Sequence, residues 1–458
     1  MAVPNAQIVR ALRAIVGDTH VLTESDVAAP YLTDWTGEWH GDAVVVRPAD
    51  TAEVAAVLGL CTAHDVKVTP QGGNTGLVGG STPPPNDSRP WVLLSLRRLD
   101  TIGMPDGSGQ CIAAGAGATL AAVHTATTTI PELGLMFGVD LAARDSATIG
   151  GMVATNAGGI RMIRYGDMRS QVLGLEAVLP SGDVVTRWRP LRKDNVGYHL
   201  PGLIAGSEGT LAVVTRVLLR LVQRTYRTAV ALVGAADVDA ARRVLIAVQR
   251  SGHTVEAAEI MTRTGVDLVA GTGVRTQIDA GATLLLEIVG GVEELSESLA
   301  RAGDDVLDAV VDAGPARDLW RVRESHTETI ARSSTTPPVK LDVSVPMGDV
   351  HQLISRVDEF AARAGLRAVQ FGHIGDGNIH VNLLDVPAEN RQTVADCVLG
   401  IVVELVGSIS AEHGIGRAKA ASIGLGRDAV DIAAMRAIKG ALDPGQLLNP
   451  GVIFFESG

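Results

Sequence analysis

The stretch FGHIGDGNIHVN at 371–382 constrains this chain more than any other part of it. Asp376 and Gly377 sit between two short apolar runs. An Asp-Gly pair in that setting favours a two-residue hairpin turn, because both central residues take positive φ. Such a turn puts Gly375 opposite Asn378, Ile374 opposite Ile379 and His373 opposite His380. The two imidazoles then share one face, with Cβ atoms roughly 5 Å apart. Asn382, two residues past His380, points the same way. Farther on, SAEHG supplies Glu412 and His413. Two histidines and a carboxylate with an open position form the donor set of a catalytic rather than a structural zinc site. His373, His380 and Glu412 are therefore the expected ligands of a divalent metal. Zinc is the first expectation, and Mn²⁺ or Fe²⁺ would suit the same donors. The competing reading is a cross-strand histidine pair in a polar turn.

At 458 residues the chain exceeds one ordinary core, so two or three domains are expected. A formal net charge of -12 argues against nucleic acid or an anionic membrane as partner, and leaves room for a local basic pocket holding a small anion. Cys61, Cys111 and Cys397 are far apart with no CxxC spacing, which fits a reducing compartment and gives no iron–sulfur relay. No apolar run reaches the roughly 18 residues of a spanning helix. The N-terminal MAVPNAQIVRALRAIVGDTH lacks a signal-peptide pattern and reads as an amphipathic helix with Ile8, Leu12 and Ile15 on one side. The expectation is a cytoplasmic protein with no transmembrane segment, peripheral membrane contact being left open.

Short strands and glycine-rich turns fill the first half. DAVVVRPAD reads as a strand, followed by a helix with Thr51 as N-cap. VLGLEAVLPSGDVVTRW is a hairpin, and GTLAVVTRVLLRLV a long strand. Near Gln223 the pattern changes to strand–helix–strand, which suggests a separate α+β domain. The expected organisation is an N-terminal helical segment at 1–38, a first domain at 39–223 and a second at 224–458.

The first domain carries two glycine-rich blocks. PQGGNTGLVGG (70–80) follows a strand, and SATIGGMVATNAGGIRMIRYGDM covers 146–168. Glycines permit close approach of the backbone, so successive N–H groups can converge on a diphosphate. The spacing is neither GxGxxG nor that of a P-loop. Either block alone could be a tight turn. Two of them, with few charges, point to a large elongated cofactor lying against backbone.

Eight ordered motifs carry a family resemblance: PQGGNTGLVGG, SATIGGMVATNAGG, YGDMRSQVLGLEAVLPSG, KDNVGYHLPGLIAGSEGTLAVVT, KLDVSVP, GHIGDGNIH, SAEHGIG and LDPGQLLNPG. Together they resemble, over nearly the full length, the two-domain FAD-linked oxidoreductases of the vanillyl-alcohol oxidase type. Within these the chain is most similar to the D-2-hydroxyacid dehydrogenases, on the D-2-hydroxyglutarate side. The resemblance implies an α+β protein: a vanillyl-alcohol oxidase/PCMH-type FAD-binding domain, followed by an FAD-linked oxidase C-terminal α+β substrate domain bearing the metal. FAD contacts are implied at Pro70, Gly72, Gly73, Asn74, Thr75, Gly76, Gly79 and Gly80. Further contacts are implied at Ser146, Thr148, Ile149, Gly150, Asn156, Gly158 and Gly159, and at Glu208 and Gly209 within Gly206–Thr210. Such proteins often attach the flavin through a histidine in or near the first loop. Asn74 and Thr75 stand there with no histidine, so the FAD is expected to be non-covalent.

DLWRVRESHTETIARSS reads as a helix with Arg323 and Thr327 on one face. The resemblance implies substrate contacts at Arg323, Thr327, Lys340 and Asn382. Cationic partners suit a dicarboxylate, and Arg grips carboxylates in bidentate fashion. His326 lies off the Arg323 face, and a structural or solvent-facing role is expected for it. The implied chemistry is oxidation of a D-2-hydroxy acid to the 2-oxo acid, with His413 as general base, a metal polarising the substrate and FAD taking the hydride. Because Glu412 and His413 are neighbours, both can serve only in an irregular segment, which Gly414 permits. The resemblance implies that Lys340 favours D-2-hydroxyglutarate, because lactate and glycolate members usually lack a lysine there; D-lactate, glycolate or D-malate is the alternative substrate. A metal hydrolase without flavin and a non-catalytic flavin-binding protein are the readings from other classes. The partners expected are the small acid and an electron acceptor: an electron-transfer flavoprotein, a quinone, a cytochrome or another oxo acid. The oligomeric state is left open, a homodimer being one option.

Overall fold

The computed structural model describes residues 4–191 and 193–455. Its contacts divide the chain into two compact units. One comprises the chain up to Gly159, Tyr165–Arg224 and Glu412–Gly458. The other comprises Ile160–Arg164 and Thr225–Ala411. A single break near Gln223 does not describe this division. The C-terminal segment folds with the first unit, where a buried Lys439 bonds Thr210 O, Leu448 O and Asp443.

The first unit holds two sheets. Val44–Val46, Trp91–Ser95 and Lys67–Gln71 pair in parallel, with Val21–Leu22 antiparallel at the edge. Their apolar faces pack on the helices Ala6–Val16 and Thr51–Ala63. Asp50, not Thr51, caps the second of these, accepting from Glu53 N at 2.9 Å. The Thr51 hydroxyl is drawn inward instead, onto Glu176 and Thr215. The second sheet is antiparallel, centred on Val213–Gln223 between Cys111–Gly115 and Val172–Val178, with Val184–Arg187 closing the expected hairpin.

The second unit is built on seven antiparallel strands in the order Asp308–Ala313, Thr228–Ala235, Ala282–Val289, Val255–Thr262, Arg367–His373, Asn378–Leu384, Val339–Ser344. The helices Arg263–Ala270, Arg317–Glu324 and His326–Ser333 pack Val266, Leu319, Val322 and Ile330 into a core with Leu232, Leu285 and Phe371. The α+β character of both units follows from these elements. Among the described residues no helix is long and apolar enough to cross a membrane.

Candidate active site

In the second unit the hairpin turns through four residues, 374–377, rather than two. His373 pairs with Asn378, Gly372 with Ile379 and Phe371 with His380. The expected register is therefore displaced by two positions. Side chains alternate with period two, so an even displacement keeps both histidines on one face. They become diagonal neighbours, with ring centroids 5.4 Å apart and planes at 80°. Asp376 Oδ1 accepts from Asn378 N and ties the turn.

Pairing along the sheet brings further polar groups to this face. Glu259 stands opposite His373, Asp342 opposite His380 and Lys340 opposite Asn382. Glu259 lies in Val255–Thr262, a strand buried at all eight positions. Its Oε1 is 2.5 Å from His373 Nδ1, and its Oε2 accepts from Arg323 Nε at 2.6 Å. Burial opposes ionisation of this carboxyl. The charges of His373 and Arg323 outweigh it and hold the group below the usual carboxylate range. The Arg323 guanidinium also lies over the Phe371 ring at 4.4 Å. Asp342 Oδ1 is 3.4 Å from His380 Nδ1 and accepts from Asn378 Nδ2 at 2.8 Å. Asn382 donates from Nδ2 to Val369 O and His380 O. Neither Glu259 nor Asp342 was singled out as a site residue from the sequence. The signal for Glu259 was its place as one of two acids, with Glu256, inside an otherwise largely apolar strand, since such carboxylates are rarely buried unpaired.

The expected Arg323–Thr327 face is not continuous. The helix breaks at Ser325, leaving Arg323 buried and Thr327 exposed. His326 is not solvent-facing. It is fully buried, its Nδ1 lies 2.9 Å from Val322 O, and its ring is 5.1 Å from Phe371. Burial, with help from Arg323, lowers its pKa to about 4. Lys340 is exposed. Ile160–Arg164 runs beside the hairpin, with Ile163 against Gly375, and Arg161 and Arg164 both pair with buried Glu256. Its residues were read from sequence only as part of a glycine block.

In the first unit the two glycine blocks abut. A Cβ on Gly72 would fall 2.2 Å from Thr148 Oγ1, and one on Gly73 would fall 2.0 Å from Ser146 O. Arg97, overlooked in the sequence, donates to Gly72 O and Gly73 O. Asn74 takes φ +57° and donates to Thr33 O. The helix Ile149–Thr155 ends on Asn156 in the left-handed region. Gly206 N and Glu208 N donate to its last turns, at Val153 O and Ala154 O. The hydroxyls of Thr148 and Ser207 are buried without a protein partner. Orphaned donors beside a side-chain-free backbone cradle suit a nucleotide diphosphate, so these residues fit FAD.

The Glu208 side chain turns to the C-terminal segment. Its Oε1 accepts from Ile415 N at 2.8 Å and its Oε2 from Gly416 N at 2.7 Å. Burial raises its pKa. This clamp shapes the segment that carries Glu412 and His413. That segment is irregular, with Gly414 at φ +82°. Glu412 Oε1 accepts from Gly159 N at 2.8 Å.

Residues 225–453 match the family of FAD linked oxidases, C-terminal domain, and residues 43–187 match an FAD binding domain. A D-2-hydroxyglutarate dehydrogenase of Xanthomonas citri is 36% identical over 97% of this chain and 96% of its own length. The chain belongs to the FAD-linked oxidases. This FAD-linked oxidase is also 33% identical, over 91% of its length and 83% of the other's, to a Schizosaccharomyces pombe protein whose name gives mitochondrial D-lactate dehydrogenase as a provisional activity. In fold it is similar to p-cresol methylhydroxylase, with a TM-score of 0.75, 18% identity, and 98% and 96% of the two chains covered. The expected vanillyl-alcohol oxidase/PCMH-type architecture is thereby shown.

Proposed function

We propose that this FAD-linked oxidase is a D-2-hydroxyacid dehydrogenase that converts D-2-hydroxyglutarate to 2-oxoglutarate. The observation that carries the substrate is Lys340 opposite Asn382, on the sheet face that also bears His373 and His380. A cation there suits a second carboxylate, which D-lactate and glycolate lack. FAD, held non-covalently by the two glycine blocks, supplies the two-electron acceptor when bound. A divalent cation, zinc first, held by His373, His380 and Glu412, supplies Lewis acidity that eases loss of the hydroxyl proton. Support for these ligands comes from the facing imidazoles and from the continuity of the chain: Ala411 N bonds Asp342 O immediately before Glu412.

His413 takes the hydroxyl proton on an imidazole nitrogen as the C2–H bond breaks and the carbonyl forms. Arg323 and Asn382 orient carboxylate and hydroxyl oxygens. The chain has three cysteines, one fewer than the four that hold an iron–sulfur cluster, so no cysteinyl relay is proposed. The electrons leave for a separate acceptor: an electron-transfer flavoprotein, a quinone or a cytochrome.

The test is anaerobic mixing of purified, metal-loaded protein with D-2-hydroxyglutarate, its L-enantiomer, D-lactate and D-malate in turn, while the visible flavin band is followed. Bleaching by D-2-hydroxyglutarate, abolished by a chelator, supports the proposal. Bleaching by D-lactate in its place moves the assignment to the second reading, which the S. pombe relative favours. A colourless protein refutes both.

A further inference from the structure

Glu259 is one of two fully buried acids in its strand. Taking a carboxylate out of water is expensive unless it is paired and hydrogen-bonded. Here each oxygen has one partner, and the two partners belong to different parts of the proposed site: His373 at 2.5 Å and Arg323 at 2.6 Å. Arg323 comes from a helix 64 residues along the chain, and His373 from the neighbouring strand. A carboxylate can only accept here, so His373 keeps a proton at Nδ1, and the neutral ring that a metal needs would carry its lone pair at Nε2. Metal-ligating histidines are commonly fixed in this way, their second nitrogen donating to a carboxylate. The other oxygen takes only Nε of Arg323, and the ring of Phe371 supports the flat face of the guanidinium. The Nη groups keep the forked geometry that suits a substrate carboxylate.

We infer that Glu259 is the positioning residue of this site, setting the His373 tautomer for metal binding and the Arg323 fork for substrate with one carboxylate. The inference rests on the reading of His373 as a metal ligand. A carboxylate placed only to neutralise a buried arginine would affect stability and leave metal affinity alone.

The experiment compares the full-length flavoprotein with Glu259→Gln and His373→Ala, using zinc competition against a chromophoric chelator, flavin content, the thermal transition, and kcat and KM for the reducing acid. In Glu259→Gln we expect zinc affinity to fall by about 10–100-fold and KM to rise, with flavin content unchanged. Wild-type zinc affinity and KM in Glu259→Gln, with zinc lost in His373→Ala, would overturn the role of Glu259 and leave the metal reading standing. Equal zinc binding by wild type and His373→Ala would overturn the metal reading and the inference with it. Should Glu259→Gln fail to fold, the unsubstituted metal-free protein decides through ¹⁵N-histidine NMR, with the His373 signal assigned by its loss in His373→Ala. An Nδ1–H tautomer supports the inference, and an Nε2–H tautomer refutes it.

Discussion

His373 and His380 face each other across their hairpin as diagonal rather than direct partners, their ring centroids 5.4 Å apart. The four-residue turn moved the register by two, and two is the smallest slip that leaves both rings on one face. A slip of one would have sent one histidine to each side of the sheet and left no paired donors.

Removing either imidazole should therefore abolish metal binding without disturbing the flavin, whose proposed contacts lie in the other unit. His380→Ala is expected to purify yellow, to retain no stoichiometric zinc by elemental analysis, and to regain no activity when zinc is added. Chelated wild type, by contrast, should recover with zinc.

His413→Gln should lower kcat by about 10²–10⁴-fold, the usual contribution of a positioned general base. Zinc and flavin contents should match wild type. Single-turnover flavin reduction measures this directly, and a rate near that of wild type would remove His413 from the proton transfer.

Lys340→Met should raise KM for D-2-hydroxyglutarate by about 10–100-fold, the value of one hydrogen bond to a charged group. D-lactate turnover, if present, should change little. Equal effects on both acids would mean that Lys340 does not read the second carboxylate.

Gly73 and Gly76 of the first loop should respond differently. A Cβ on Gly73 meets the Ser146 carbonyl at 2.0 Å, whereas one on Gly76 meets no protein atom within 4 Å. Gly73→Ala should separate the two blocks and lose both flavin and thermal stability. Gly76→Ala should keep wild-type stability in the flavin-free protein and lose flavin affinity, because the cofactor is the only neighbour expected there.

His326 gives a pH signature. Its ring is neutral in the fold, with a pKa of about 4 against an ordinary 6.5. The unfolded chain takes up the proton first as pH falls. The contribution to stability is thus complete above 6.5 and is lost as pH drops through about 4. The full span is worth roughly 3 kcal/mol. Urea denaturation of metal-free protein between pH 7 and 4 should show a shallower decline for His326→Leu than for wild type, and parallel curves would contradict the assignment.

Glycine-rich cradles, the histidine pair and the need for an irregular Glu412-His413 segment were all legible in the sequence, because each depends on residues a few positions apart. Helix caps and turns were nearly as legible, and they failed by small amounts where a buried partner competed. Thr51 illustrates this: Glu176 and Thr215 drew its hydroxyl inward and left the cap to Asp50.

The sequence by itself determined which residue types could do the chemistry and, through the period-two rule, which of them share a face. Tertiary structure alone decided that Glu259 joins His373 to Arg323, that Glu208 is spent on the amides of Ile415 and Gly416, and that the last segment of the chain returns to the first unit. The physical reason is burial. Local propensity acts over one turn or one strand pair. A carboxylate removed from water must find its donors wherever the packed chain brings them, at any separation along the sequence.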